Sequence, residues 1–545
     1  MDQASGARLG LPALGRLDLR ALARPAALAL GAFAVLFLAL TWNRYGLASG
    51  EAERQMYGRQ LLDFYRFGFT GSALQHLEAV QTGGLFDLFA ALLELVWHGS
   101  VWDLRHLLSG LAGLAGLLAV WRLARLLAGE VAALLATVIL CLTGSWSGAM
   151  FTHTLEIPLA AALVWALYLQ TCLVAEQPAF RRGTVWGLGF AAGLAFGVGD
   201  GAWLVPLSLL ITLLVVSHRR AESPLKSLPG QLRALLPAAL LAAAIALLGR
   251  PAVVLGPLQS LFLPAGPAGV TSVVPTLVDG SLLMSNEVPR SYLHEYLVVK
   301  LPELMLIGLA LALGGRPWQV GGGASEHERR RRSRHAHPMH LPLVLAIVLP
   351  MGYAWLFRPA LADGLRQFLY LLPPMAVAAA LGWRMLWQTV RGQSVAAWSL
   401  AIVVSLLAVS HAITLIHLHP YGHAYYNSLV SGLRGAARGW VLDYSAASVR
   451  EGAEYLNRWA AIVPPASRDP IPVAVCAEPA QARAWLSPRF EVVRDPARAA
   501  FVIANSHLGC LDGIGGTPLY TVMRQGVTLG QVIDRRGQVP QALPG

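Results

Sequence analysis

Apolar residues are concentrated in blocks of roughly 17–22 residues, long enough as helices to cross a hydrocarbon core of about 30 Å. Short polar loops separate these blocks along most of the chain. Because lipid offers no partner to backbone N–H and C=O groups, each block is predicted to be a helix. Eleven such segments are predicted, with centres near Val35, Leu114, Val138, Val164, Ala192, Leu209, Ala242, Ile307, Ile347, Val377 and Ser405.

Basic residues fall in loops that share one side if all eleven segments cross in alternation. They precede the first segment and follow the second, fourth, sixth, eighth and tenth, and they include Arg24, Arg122, Arg125, Arg181, Arg182, Arg219, Arg220, the run Arg329–Arg332 and Arg391. Short cytoplasmic loops carry an excess of Lys and Arg. The pattern therefore predicts a multi-pass membrane protein with residues 1–24 in the cytoplasm and its C-terminus on the opposite side.

Longer polar segments lie on that opposite side. A first external loop is predicted over residues 43–103, inside a transmembrane domain of residues 25–416, and residues 417–545 form an external C-terminal region. An amphipathic helix is predicted near 445–461, and a second helix near 478–486. Short strand-like runs follow, the last two forming a hairpin at Gln525-Gly526. The runs are Ile471–Val475, Phe490–Val493, Phe501–Ala504, Leu519–Met523 and Val527–Ile533, so that a small α/β domain is predicted.

Composition agrees with a membrane protein and argues against a nucleic-acid partner. Only 13% of the residues are charged, whereas about a quarter is usual for soluble proteins. The net charge of +12 is spread over short loops rather than over one face of a soluble domain. Four cysteines are too few for a disulfide scaffold. Cys476 and Cys510 share the C-terminal domain, and the sequence leaves open whether they pair.

Ionisable residues near helix ends of an apolar protein are candidates for function. The first external loop carries Glu51 and Glu53 in a stretch with helical spacing, and Asp87 follows further along. This stretch could instead rest on the membrane surface as an amphipathic helix. Glu156 opens the fourth segment, where the helix dipole stabilises a negative charge, so helix capping is its alternative role.

Several short motifs, taken in order, resemble the GT-C class of membrane glycosyltransferases, specifically bacterial proteins of the family 39 or aminoarabinose-transferase type. Each motif alone is weak, but their order relative to the helices is specific. They are Asn43–Gly46, Tyr57-Gly58, Gly83–Asp87, Arg105–Leu108, Glu156–Pro158, Lys300–Glu303, Asp363–Pro374, His419–Tyr421, Tyr425–Asn427 and Leu442–Tyr444.

The resemblance implies a GT-C-like helical fold in a bacterial inner membrane. It also implies an inverting enzyme that moves a sugar from a polyprenyl-phosphate carrier to an acceptor on the outer side. Glu51 would be the catalytic acid or base, with Glu156 as its acidic partner and Glu53 or Asp87 as an acidic helper. Cationic Arg366, with Lys300 and Tyr57, would bind the donor phosphate. Snorkelling to the interface is the alternative for Arg366 and is favoured for Lys300.

The chain departs from the family pattern at two acidic sites. Gly50 stands where the family usually has Asp, and Leu155 stands where it often has Lys. A divalent metal such as Mg²⁺ or Mn²⁺ could be held by Glu51 and Glu156, since paired carboxylates suit hard cations. Two alternatives stay open: a relative without activity that binds lipid-linked glycan or scaffolds a partner, and a transporter. The sugar and the acceptor, whether glycan, lipid or protein, are not identified by the sequence.

Overall fold

A computed structural model describes residues 19–67, 83–219, 224–251, 273–315, 338–464 and 468–537. Most of these residues are helical. In chain order the longer helices are α1 (Leu19–Thr41), α2 (Glu51–Arg66), α3 (Leu85–Glu94), α4 (Val101–Ala128), α5 (Glu130–Cys141), α6 (Glu156–Glu176), α7 (Arg182–Val198), α8 (Leu204–Arg219), α9 (Pro224–Gly249), α10 (Tyr292–Lys300), α11 (Glu303–Gly314), α12 (Leu341–Phe357), α13 (Leu372–Val390), α14 (Ser394–Leu418) and α15 (Val449–Ile462).

The apolar helices make the chain a multi-pass membrane protein. Within the described residues, seven helices are long and apolar enough to cross a membrane, namely α1, α4, α6, α8, α9, α13 and α14. The pair α10 and α11 would add an eighth span, bent by 119°. Every predicted centre lies in a helix. However, α5 has 12 residues and α7 and α12 have 17 each, and none of these three helices is among the seven. Eleven crossings therefore stay a prediction.

Two basic residues that were predicted to lie on the same side of the membrane, Arg24 and Arg125, meet at one end of the bundle. The Glu130 carboxylate at the start of α5 accepts from Arg24 of α1 at 3.1 Å and pairs with Arg125 of α4 at 2.8 Å. The start of α1 and the end of α4 therefore lie together, as the alternating arrangement requires. Arg220 and the run Arg329–Arg332 lie outside the described residues. Which compartment this end faces stays a prediction.

Helices α2 and α3 lie in the described part of the loop between α1 and α4. Helix α2 packs on α3 through an apolar cluster that includes Tyr57, Leu61, Phe64 and Leu88. Gly58 permits close approach, because a Cβ there would stand 2.4 Å from the Asp87 carbonyl oxygen. The predicted helix in this loop is confirmed, and α2 begins at Glu51 itself.

The C-terminal region contains the predicted α/β domain. Earlier in the chain, β1 (Pro275–Val278) and β2 (Ser281–Met284) form a separate hairpin. The strands of the domain are β3 (Ile471–Val475), β4 (Phe490–Val492), β5 (Phe501–Asn505), β6 (Thr517–Arg524) and β7 (Val527–Asp534). They form a five-stranded sheet in the order β4-β3-β5-β7-β6, in which β3 is parallel to β4 and β5, and β7 is antiparallel to β5 and β6.

Helix α15 packs on this sheet and begins later than predicted. The carboxylate of Asp443 accepts from the N–H groups of Ala447 and Ser448, at 3.1 and 2.9 Å, and holds the preceding turn in a non-helical conformation. The helix therefore starts at Val449. The second predicted helix is a single turn, Pro479–Arg483, and it begins after Glu478, which is its N-cap in a capping box with Gln481.

Hydrogen bonds to Glu451 connect the C-terminal domain to the helical bundle. Glu451 of α15 accepts from Tyr520 at 2.7 Å and from Arg524 at 2.9 Å, both on β6. It also accepts at 2.9 Å from Tyr421, which follows the membrane helix α14. Burial alone would raise the pKa of Glu451, but these hydrogen bonds and the Arg524 charge hold it below its ordinary value.

We expect Glu451→Ala to lower the free energy of unfolding by about 1–3 kcal/mol, because three donors lose their acceptor. Thermal unfolding in detergent and protease release of the C-terminal domain would measure this. The folded-state pKa is depressed, so the contribution is present at neutral pH and is lost as the pH falls through that lowered pKa. Glu454→Ala is the control, because its side chain is 44% exposed on the same helix. Equal destabilisation by both variants would contradict the prediction.

Candidate active site

Arg366 lies at the centre of an ion-pair group at the end of the bundle that carries the C-terminal domain. It opens the 3₁₀ turn Arg366–Leu371 that leads into α13. Its Nε donates to Glu156 Oε1 at 2.7 Å, and its Nη1 donates to Asp363 Oδ2 at 3.3 Å. Its Nη2 donates to the Ser49 carbonyl at 3.3 Å. The side chains of Arg366 and Asp363 are 25% and 23% exposed, so ligands can reach this group.

Glu156 is the first residue of α6, as predicted, and its side chain is 11% exposed. Beside it, His153 shares a 2.7 Å hydrogen bond between Nε2 and the Tyr444 hydroxyl. Burial lowers the pKa of His153 to about 3, and the Glu156 charge offsets only part of this effect. His153 is therefore neutral at pH 7 and acts as a hydrogen-bonding group in this wall of the site.

Glu51 belongs to a second, buried group. The residue is 2% exposed, and its Oε2 accepts from the Ala48 N–H at 3.2 Å and lies 3.3 Å from His106 Nε2. Its Oε1 lies 3.8 Å from Arg105 Nε. Arg105 also donates to Asp87 Oδ1 at 2.6 Å, so that the guanidinium is compensated by two carboxylates. Asp87 additionally pairs with Arg54.

The Arg366 group and the Glu51 group are linked by the short segment from Ser49 to Glu51, but their side chains contact different partners. Ser49, whose carbonyl binds Arg366, is two residues before Glu51. The structure therefore brings Glu156 and Arg366 into direct contact, as the prediction of a common site requires. The Glu51 carboxylate instead contacts Arg105 and His106 on α4.

Lys300 and Tyr57 have partners outside the Arg366 group. Lys300 does not snorkel: it is 2% exposed, its Nζ donates to the His423 carbonyl at 2.8 Å, and Nζ lies 3.8 Å from the Tyr426 ring centroid. The carbonyl and the aromatic ring supply the polar partners that snorkelling would otherwise seek. Tyr57 is buried near Arg54, and burial raises its pKa to about 12. Glu53 is exposed on the outer face of α2.

The two predicted metal ligands, Glu51 and Glu156, lie in separate ion-pair groups. No group of three or more His, Cys, Asp or Glu side chains suited to a metal occurs among the residues that the structure describes. Glu51 and Glu156 are each paired with an arginine, which already compensates their charge. A metal therefore stays a prediction from the resemblance, and no chemical step is assigned to it.

Sequence reasoning missed Asp363 as a site residue. Its backbone has φ +58°, a left-handed conformation uncommon outside glycine, and Gly364 follows with φ +68°. Non-glycine residues held in this region cluster at functional sites. The Asp-Gly dipeptide was a readable signal for such a turn. Its partner Arg366 is only three residues away, so the pairing was also within reach of the sequence.

His507 of the C-terminal domain lies in the loop after strand β5 and is partly buried. Burial lowers the pKa of His507, and the charges of Asp363 and Asp443 offset part of this effect. The loop of His507 is joined to the end of β3 by a disulfide between Cys476 and Cys510, whose Cα atoms are 6.2 Å apart. The structure thus answers a question that the sequence left open.

A Ser/His/Asp cluster near the site is structural. Ser445 Oγ and Asp443 Oδ1 lie 3.2 and 3.0 Å from the same nitrogen, Nε2 of His423. A nucleophilic triad needs the serine and the carboxylate on opposite ring nitrogens. All three residues are almost fully buried. This cluster holds the turn before α15 and does not form a nucleophile.

One match to a known family covers part of the bundle. Residues 85–247 match the model of the dolichyl-phosphate-mannose-protein mannosyltransferase family. The matched segment contains Asp87, Arg105, His106 and Glu156. It bears out the resemblance to a membrane glycosyltransferase that the sequence motifs indicated. No curated protein matches the chain.

Solved structures of membrane transferases are similar at low identity. ArnT from Cupriavidus metallidurans in the apo state is 15% identical, with a TM-score of 0.47, and the match covers 94% of this chain and 98% of that one. Its complex with undecaprenyl phosphate is also 15% identical, with a TM-score of 0.44, covering 93% and 98%. The archaeal oligosaccharyltransferase AglB from Archaeoglobus fulgidus, in complex with an inhibitory peptide and a dolichol-phosphate, is 14% identical, with a TM-score of 0.45, covering 88% and 65%.

Proposed function

We propose that this protein transfers a sugar from a polyprenyl-phosphate carrier to an acceptor at the end of the bundle where Arg366 lies. The observation that carries the proposal is the accessible Arg366 guanidinium, which is flanked by two carboxylates at the start of a membrane helix. A lipid-borne phosphate would lie at that level of the bundle. The family match over residues 85–247 supports a lipid-linked donor.

Arg366 would bind the departing phosphate. A guanidinium has five N–H groups, and those of Arg366 donate to Glu156, Asp363 and the Ser49 carbonyl within the described part of the chain. Two N–H groups remain for phosphate oxygens. Glu156 fixes the orientation of the guanidinium through the 2.7 Å bond. A fixed donor stabilises the charge that develops on the leaving group without having to reorganise.

Asp363 is the carboxylate best placed to act as the general base. An acceptor hydroxyl oxygen attacks the anomeric carbon, its proton passes to Asp363, and the bond from that carbon to the phosphate oxygen breaks with inversion. Asp363 is accessible, whereas the carboxylate of Glu51 is buried against Arg105 and His106. The catalytic role predicted for Glu51 is thus a rival assignment, and direct comparison of the two variants decides between them.

The proposal includes the inner membrane of a bacterium and an outward-facing site. The support is that two groups of residues lie at opposite ends of the bundle. Arg24 and Arg125, from loops predicted to be cytoplasmic, meet at one end. The Arg366 group and the C-terminal domain lie at the other. Positive loops favour the cytoplasm. The substrate-bearing end would then face away from it.

The direct test is sugar transfer by the purified protein, supplied with a panel of polyprenyl-phosphate sugars and bacterial lipid or glycan acceptors. Wild type is expected to release free polyprenyl phosphate in step with glycosylated product. Glu51→Gln keeps the size of the side chain, and turnover equal to that of wild type would remove Glu51 from the mechanism. Binding of the carrier without any transfer would favour a relative without activity. Movement of carrier or sugar across vesicle membranes would favour a transporter.

A further inference from the structure

The C-terminal domain reaches into the loop between α1 and α2. Glu478 Oε1 accepts from the Ser49 hydroxyl at 2.6 Å and from the Gly50 N–H at 2.7 Å. Gln481 Nε2 donates to the Leu47 carbonyl at 2.6 Å. A single turn of the domain thus binds Leu47, Ser49 and Gly50 of this loop. Gly50 and Glu478 are 428 residues apart in the sequence.

This loop lies between the two charged groups of the site. The Ser49 carbonyl accepts from Arg366, and Glu51 begins α2 one residue after Gly50. Gly50 is the N-cap of α2 with φ +80°, so the chain turns sharply at this point. A shift of the Ser49–Gly50 peptide would move an acceptor of Arg366 and the start of α2 together.

Glu478 is itself held firmly. It is the N-cap of the turn Pro479–Arg483, and the Gln481 side chain accepts from its backbone N–H at 3.2 Å. It follows strand β3 and stands two residues after Cys476, which is cross-linked to Cys510. Gln481 also donates to the Ser445 carbonyl at 2.8 Å. The carboxylate therefore projects from a rigid support rather than from a free loop.

We propose that Glu478 is a positioning residue of the transfer reaction, which makes the C-terminal domain part of the catalytic unit. By accepting from Ser49 and Gly50, Glu478 fixes the peptide that orients the Arg366 guanidinium towards the carrier phosphate. The inference rests on the proposed function, because the guanidinium must bind that phosphate. Displacement of a catalytic group by about 1 Å can cost roughly 100-fold in rate.

Removing the acceptor is the test. Glu478→Ala is expected to lower kcat by roughly tenfold to a hundredfold per folded molecule and to weaken binding of a polyprenyl phosphate. Glu478→Gln keeps an oxygen that can accept from both donors, so it is expected to retain most of the activity. Glu491→Ala is the matched control, because Glu491 is exposed on the edge strand β4 of the same domain.

The possible results separate this inference from the proposed function. If wild type transfers no sugar from any donor, the proposed function is wrong. The role of Glu478 is then tested by comparing the affinities of wild type and Glu478→Ala for polyprenyl phosphate. If wild type is active and Glu478→Ala has the same kcat and the same carrier affinity, the positioning role is overturned. A lower melting temperature with unchanged kcat would also overturn it, because that is the effect of a contact that only joins two domains. If Glu478→Ala does not fold, Glu478→Gln and Glu478→Asp provide the comparison, and loss of kcat in the shorter Asp variant alone supports positioning.

Discussion

Replacing Arg366 with Ala is expected to lower kcat/KM for sugar transfer by about 10²–10³-fold, the usual loss when one fixed donor to a developing charge is removed. The guanidinium joins Glu156, Asp363 and the Ser49 carbonyl, so its loss also releases the groups that shape the site. Arg366→Lys is expected to restore little activity, because an ammonium cannot reproduce a planar fork of donors. Steady-state kinetics with a polyprenyl-phosphate sugar would measure both variants.

Arg391→Ala is the control for this experiment. Arg391 is the exposed C-cap of α13, whereas Arg366 lies in the turn before the start of α13, so the same change of charge occurs at the opposite end of this helix. Its activity should equal that of wild type. Full activity in Arg366→Ala, or an equal loss in Arg391→Ala, would exclude Arg366 as the phosphate ligand.

Asp363→Asn is expected to lower kcat by about 10²–10⁴-fold, the range attributed to general acid–base catalysis, while KM for the carrier changes little. Asn tolerates the left-handed conformation at φ +58°, so the turn should survive the substitution. The amide can still accept from Arg366 but cannot take a proton from the acceptor hydroxyl. Turnover measured under saturating donor would isolate this step.

Asp279 offers a matched control within the same chain. It precedes Gly280 in the exposed turn between β1 and β2 and also has a positive φ, 44°. Asp279→Asn therefore repeats the same chemistry in the same kind of backbone, without a partner such as Arg366, and should leave kcat unchanged. If Asp363→Asn retains full kcat while Glu51→Gln loses it, the base is Glu51, and the buried group is the reaction centre.

The elements of the C-terminal domain could be predicted closely because their signals are local. Short, nearly continuous apolar runs mark β3 and β5, and Gln525-Gly526 marks the hairpin between β6 and β7. The start of α15 was predicted too early, because the Asp443 carboxylate accepts from the amides of Ala447 and Ser448 and holds this turn outside the helix. A hydrogen-bond acceptor six positions before the helix leaves no short-range pattern.

The site could be predicted only as far as its residue types. Glu156 and Arg366 were both singled out, but their ion pair joins positions 210 residues apart, and periodicity has no bearing on such a contact. The same limit applies to Glu478 and Gly50. Glu51 was predicted only to lie in a stretch with helical spacing, and the direction of its side chain depends on Arg105 and His106 of α4.

The bond between Cys476 and Cys510 has a consequence for the biosynthesis of the protein. Cytosolic reductants keep thiols reduced, so cross-linked pairs belong to oxidising compartments. With the outward orientation proposed above, translocation of the last segment of the chain would precede closure of this domain, and the Arg366 group would be completed only after export. During a short radioactive pulse, a membrane-permeant alkylating reagent is expected to modify the thiols of both Cys476 and Cys510. After a chase, both cysteines are expected to resist alkylation, because the disulfide has formed.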